Sequence, residues 1–121
     1  MISLIKERRN IQAKPMNTET KPLDILMAIS NATGVPMEHL KSRKRDAHLV
    51  KTRGIYAYIA SEFSFRLVDI GSPINRDHST VIYYLKHFRD RLSENEPWYD
   101  AELAREIANL KRRLRIRLID C

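Results

Sequence analysis

An all-α domain is the fold that this chain of 121 residues predicts. Three observations carry that reading. Apolar residues recur at three- and four-residue spacing in several segments, the pattern of amphipathic helices. The chain holds only three glycines and few β-branched runs, which argues against an all-β fold. Short polar turns separate the segments, as in compact, orthogonally packed helical domains. The length suits one domain with a modest core.

Residues 1–13 read as a short helix, broken by Lys14-Pro15 and the polar run Asn17-Thr18-Glu19-Thr20. Residues 1–20 are therefore expected to form an arm or linker, and 21–121 the folded domain. Pro22 suits the first turn of a helix. Leu23, Leu26, Ile29 and Ala32 or Thr33 line one face of it, and Gly34 stops it. Pro36 opens a short helix through Leu40, anchored by Val35, Met37 and Leu40. After a polar stretch, a longer helix begins near His48 and ends near Ser64. Ile55, Ile59 and Phe63 mark its buried face, with Tyr56 or Ala60 flanking. Leu67, Val68 and Ile70 make a short apolar turn closed by Gly71, and Ser72-Pro73 is a turn signal. The next helix runs from Asp77 to about Leu92, with Val81, Leu85, Phe88 and Leu92 as its stripe. Beyond the loop at 93–97, a final helix starts at Trp98. Leu103, Ile107, Leu110 and Leu114 form its stripe, with Leu118 as a further candidate.

The formal net charge is +7 and the isoelectric point lies near 9.8. That balance favours a polyanionic partner such as DNA, RNA or an acidic surface. The one cysteine, Cys121, permits no intrachain disulfide and no cysteine-based metal site. No metal or cofactor is expected. No segment approaches a membrane span, and Ile2, Leu4 and Ile5 give way at once to Lys6, Arg8 and Arg9. No membrane partner is expected, and a reducing cytoplasmic setting is the default.

Chemistry concentrates at Arg76-Asp77-His78-Ser79-Thr80-Val81. A short apolar helix, a tight turn and a polar-tipped helix stand in helix-turn-helix order. In such units the second helix reads bases in the major groove with its N-terminal residues, here Asp77, His78, Ser79 and Thr80. A carboxylate accepts from the cytosine amine, and imidazole contacts the thymine methyl. Hydroxyls bond bases or phosphate. Arg76 suits a phosphate or a guanine edge. A plainer reading is that Asp77 caps the helix with Thr80 as its partner, while His78 is solvated. The two readings are compatible, since a carboxylate has two oxygens.

A second cluster is Lys41, Arg43, Lys44, Arg45, Lys51 and Arg53, interrupted by Asp46. A loop arginine can enter a narrow minor groove, where the potential is most negative. A solvated, solubilising loop is the alternative. A third set, Arg105, Lys111, Arg112, Arg113, Arg115 and Arg117, lies on the last helix. It suits phosphate contact or, more simply, a solvated outer face. Self-association through Leu103, Ile107, Leu110 and Leu114 is a third reading. An enzyme is not expected: Asp77, His78 and Ser79 diverge by about 100° each around the helix, so they cannot form a relay.

These residues resemble the C-terminal DNA-binding domain of the bacterial replication initiator DnaA. The hexapeptide at Arg76 matches that family's Arg-Asp-His-Thr-Thr-Val with one conservative change, at Ser79. Ser42-Arg43-Lys44-Arg45, Arg53, Ile59-Ala60-Ser61-Glu62-Phe63, Gly34-Val35 and Glu38-His39-Leu40 match its upstream features in order. The likeness runs from about Leu23 to Leu92 and more loosely into the last helix. It implies a Trp-repressor-like helical domain that binds double-stranded DNA. It also implies that Asp77, His78 and Ser79 read the major groove, Thr80 and Arg53 contact the backbone, and Arg45 enters the minor groove. Arg76 and Lys44 are expected on the DNA backbone beside them. The family's Gly-Gly before the signature is replaced by Ile74-Asn75 in a shorter turn, and a second loop arginine falls on Ala47. No Gly-rich phosphate loop is present, so the chain is expected to act without the family's ATPase domain. Replication initiation or its regulation, in a bacterium or a phage, is the expected role. A transcriptional regulator and a protein-interaction module are the alternatives.

Overall fold

The computed structural model describes residues 20–120, excepting the side chains of 115–120. The helix expected over 1–13 lies outside the described residues, as does all of the arm but residue 20. The described chain forms six α-helices and one 3-10 turn. Among the described residues there is no strand, and no helix is long and apolar enough to cross a membrane.

Helix α1 spans Pro22–Thr33. Its start is fixed by the Lys21 N–H, which donates to the Asp24 carboxylate at 2.9 Å. Its end is set by Gly34 at φ 79°, a left-handed position that glycine takes without a Cβ penalty. Ile25, Leu26, Ala28 and Ile29 are buried. Leu23, expected on that face, is 42% exposed. The buried face is centred on Ile25, Leu26 and Ile29, where α1 packs mainly against α3 and α6 and also meets α2. Helix α2, Met37–Lys41, follows Pro36 and buries only Leu40.

Helix α3, Ala47–Ala60, is the centre of the molecule and touches α1, α2, α4, α5 and α6. Residues 52–57 are buried without a break. The single stripe expected from the spacing is thus one side of a helix enclosed nearly all round. Beyond Ala60 the chain tightens, with Glu62 N–H on Ile59 O and Phe63 N–H on Ala60 O, so the expected continuation to Ser64 is a turn. Gly54 lets α5 approach: a Cβ there would stand 2.6 Å from Phe88 Cζ.

Helices α4, Leu67–Gly71, and α5, His78–Arg91, flank a 3-10 turn at Ser72–Ile74. Helix α6, Ala101–Asp120, begins three residues later than expected. The Asp100 carboxylate accepts from the Leu103 N–H at 3.0 Å and starts the helix there, leaving Trp98 in the loop. Arg91 pins that loop to the end of α5 through a 2.8 Å ion pair with Asp100. Leu103, Ile107, Leu110 and Leu114 are buried in the core of this chain. The stripe on which self-association was read packs against α1 and α3 within this chain. Leu118, Arg115 and Arg117 have side chains outside the described set.

Candidate nucleic-acid interface

The turn between α4 and α5 is built by close backbone approach. The Arg76 N–H donates to Gly71 O at 3.0 Å, and a side chain at Gly71 would collide with the Arg76 carbonyl and sit 3.1 Å from Val81 Cγ2. Asn75 takes φ 55°, ψ 44°, the left-handed conformation that asparagine tolerates better than most residues. One asparagine therefore does here what glycine would do in the longer turn. Tyr56 reaches up from α3 and donates its buried hydroxyl to Ile70 O at 2.6 Å, fastening α4 to the core. Burial pushes the phenol's pKa up, so it stays a donor.

At the tip of α5, Asp77 is the N-cap, its Oδ1 accepting from the Thr80 N–H at 3.0 Å. That bond holds the carboxyl below the usual carboxylate range. The cap uses one of two oxygens, so the plainer sequence reading is true and leaves the other oxygen for a ligand. His78 and Ser79 are exposed on the first turn, Thr80 is half-buried, and Val81 anchors the turn in the core. Ile82 and Tyr83 are 47% and 62% exposed on the following turn. Tyr83 stacks on His87 with ring centroids 5.9 Å apart. Sequence reasoning missed Ile82, Tyr83 and the exposed Lys86 on this surface. Ile82 and Tyr83 stand three or four residues beyond His78 and Ser79, and Lys86 three and four beyond them in turn, which was the available signal.

The basic loop lies against the turn. Arg43, Lys44 and Arg45 are all exposed. Arg53, expected on the DNA backbone, is only 1% exposed, and its placement there is corrected. Its guanidinium points inward, donating through Nε to Leu40 O at 2.8 Å and through Nη1 to Lys44 O at 2.8 Å. Nη2 donates to His39 O at 2.9 Å and to Ser42 O at 3.0 Å. These carbonyls include orphan acceptors at the end of α2, so a buried cation is satisfied by dipoles and cannot reach a phosphate. Burial, then the neighbouring Arg76 charge, lowers the Arg53 pKa. Arg76 is half-buried and donates to Ile74 O at 2.8 Å, Asn75 O at 3.3 Å and Ser42 O at 2.8 Å. Its remaining donors are what it can offer outward. Elsewhere, Lys51 pairs with Glu106 at 2.7 Å and Lys111 with Glu62 at 2.6 Å, tying cations of the second and third clusters into the scaffold.

A short helix, a tight turn and a polar-tipped second helix define a helix-turn-helix domain, here with a basic loop seated against its turn. Comparison with known proteins narrows the class. The model of the bacterial dnaA protein helix-turn-helix matches residues 22–87. The chromosomal replication initiator protein DnaA of Caldanaerobacter subterraneus subsp. tengcongensis is 37% identical over 82 residues, covering 67% of this chain and 17% of that protein. The DnaA of Chloroflexus aurantiacus is 30% identical over 94 residues, covering 76% of this chain and 19% of that protein. That of Thermoanaerobacter sp. (strain X514) is 35% identical over 82 residues. The chain belongs to the bacterial DnaA helix-turn-helix family. It matches less than a fifth of the length of these relatives.

Proposed function

We propose that this domain binds double-stranded DNA sequence-specifically, in replication initiation or its regulation. The observation that carries the reading is one surface with two probes. An exposed Asp77-His78-Ser79 tip on α5 stands beside an exposed Arg43-Lys44-Arg45 loop, the two joined through the Ser42 carbonyl. Asp77, His78 and Ser79 read base edges in the major groove, where carboxylate, imidazole and hydroxyl each have a matching partner. Thr80, Lys44 and the outward donors of Arg76 hold phosphates. Arg45 enters the minor groove. Arg53 acts from inside, by shaping the loop. The reading assigns no catalytic step to the domain and sets it in the cytoplasm, on the nucleoid.

Selection from random duplexes with the purified chain tests this. A defined box should enrich, and His78→Ala should relax base preference within it while non-specific binding changes little. Arg45→Ala should weaken binding and reduce the salt slope by about one. No enrichment at low salt, or an unaltered box in His78→Ala, would overturn the assignment.

A further inference from the structure

We infer that the bonds converging on the carbonyls of residues 39–44 set the spacing between the two grooves that the domain reads. Arg53, Arg76 and Asn75 then act as positioning residues for box recognition. The inference rests on the two-groove reading above and adds to it what fixes the distance between the probes.

The loop over residues 42–46 has no apolar side chain to bury. Its place is determined by polar bonds. Arg53 gathers four carbonyls, those of His39, Leu40, Ser42 and Lys44, from within α3. The turn ahead of α5 then grips the same stretch from the other side. Asn75 Nδ2 donates to Lys41 O at 3.1 Å, and Arg76 Nη2 donates to Ser42 O at 2.8 Å. The Ser42 carbonyl is shared by Arg53 and Arg76, so one acceptor joins α3, the loop and the helix-turn-helix. With the Ser42 and Lys44 carbonyls drawn inward, Arg43, Lys44 and Arg45 stand exposed at a fixed offset from the α5 tip.

A fixed offset has a consequence on a duplex. Each added base pair moves a groove position by about 3.4 Å along the axis and roughly a tenth of a turn around it. A rigid pair of probes rejects that change, whereas a pair joined by a loose loop follows it. None of the three residues needs to touch a base for this. Their effect falls on the spacing of the box and leaves the identity of its bases to α5.

The test uses the purified chain, its selected box, and the same box with one base pair added or removed. The change is placed between the segment read by α5 and the segment whose footprint Arg45→Ala loses. The chain as it stands should prefer the native spacing by about tenfold or more, the size of one lost specific contact. Asn75→Gly keeps the left-handed turn but deletes the bond to Lys41 O. It should lower that preference about threefold, the size of one neutral hydrogen bond. Arg53→Lys keeps the charge but not the four-carbonyl grip, and should lower it further. Asn75→Gly, a surface change, decides the matter where Arg53→Lys gives no cooperative melt. A merely structural role would weaken all duplexes alike and leave the ratio unchanged, and an unchanged ratio in the folded variants overturns the inference alone. If the unaltered chain binds every duplex equally, the sequence-specific reading falls and the inference falls with it.

Discussion

Tyr56 makes a single bond whose loss is easy to measure. Its hydroxyl serves the buried carbonyl of Ile70, and Tyr56→Phe leaves that acceptor without a partner. We expect a loss of about 1–3 kcal/mol in urea unfolding, the cost of one unsatisfied buried group. Asp77 and Asp100 give the acid side of stability. The Thr80 N–H holds the first below the ordinary range, and the Leu103 N–H and then Arg91 do so for the second. A lowered folded value means the unfolded chain takes up protons first as pH drops. The contribution is therefore full above the unfolded value near ~4 and is lost as pH falls through the folded one. Tm should fall across that window, and Asp77→Asn with Asp100→Asn should flatten the acid limb; an identical limb would assign it to other groups. Arg53 shows where sequence reading stopped at this scale. In a basic run its guanidinium looks like any other. Its register with Leu49, Ala57 and Ala60, three and four residues apart on the buried side of α3, was the sign that it points inward.

Among the elements, α3 and α5 depend on one close contact. Gly54→Ala would press a methyl group into the Phe88 ring, since the added Cβ stands 2.6 Å from Cζ. Overpacking of this kind should cost about 1–3 kcal/mol. Phe88→Leu should recover part of the loss, which a double-mutant cycle would read as coupling. The helices themselves were legible in sequence because local spacing and end signals write them. Pro22, Gly34, Gly71 and Asp77 fall at the boundaries they announced. What spacing does not write is how many neighbours a helix has. A helix packed along one side shows a stripe, as α6 does against α1 and α3; α3 meets five helices and is enclosed, and α1, which meets α2, α3 and α6, leaves Leu23 off its buried face. The late start of α6 has the same origin in contact: Asp100 is held by Arg91, a residue of another helix.

At the scale of the molecule, the net charge of +7 is not spread evenly in effect. Lys51, Lys111 and Arg91 are paired to Glu106, Glu62 and Asp100 within the scaffold, while the loop at 43–45 stands exposed beside the α5 tip. If ~5–8 phosphates are neutralised there, the log–log salt slope of box binding should be roughly −5 to −7. A slope near zero in a titration from low to moderate salt would point to a protein partner instead. The polar start of α5 could be located from sequence because a helix start is local. The joint between loop and turn could not, because it ties residues 34 positions apart through carbonyls that every residue possesses. The far end of α5 carries a different opportunity. Trp98 is the chain's single indole, half-exposed in the loop that Arg91 fastens to that end. A helix of 14 residues sets that end of α5 about 21 Å from the tip proposed to read DNA. Trp98 fluorescence should therefore record the loosening of the α5–α6 corner during unfolding while staying nearly blind to an occupied groove, which makes it a built-in optical gauge of the scaffold.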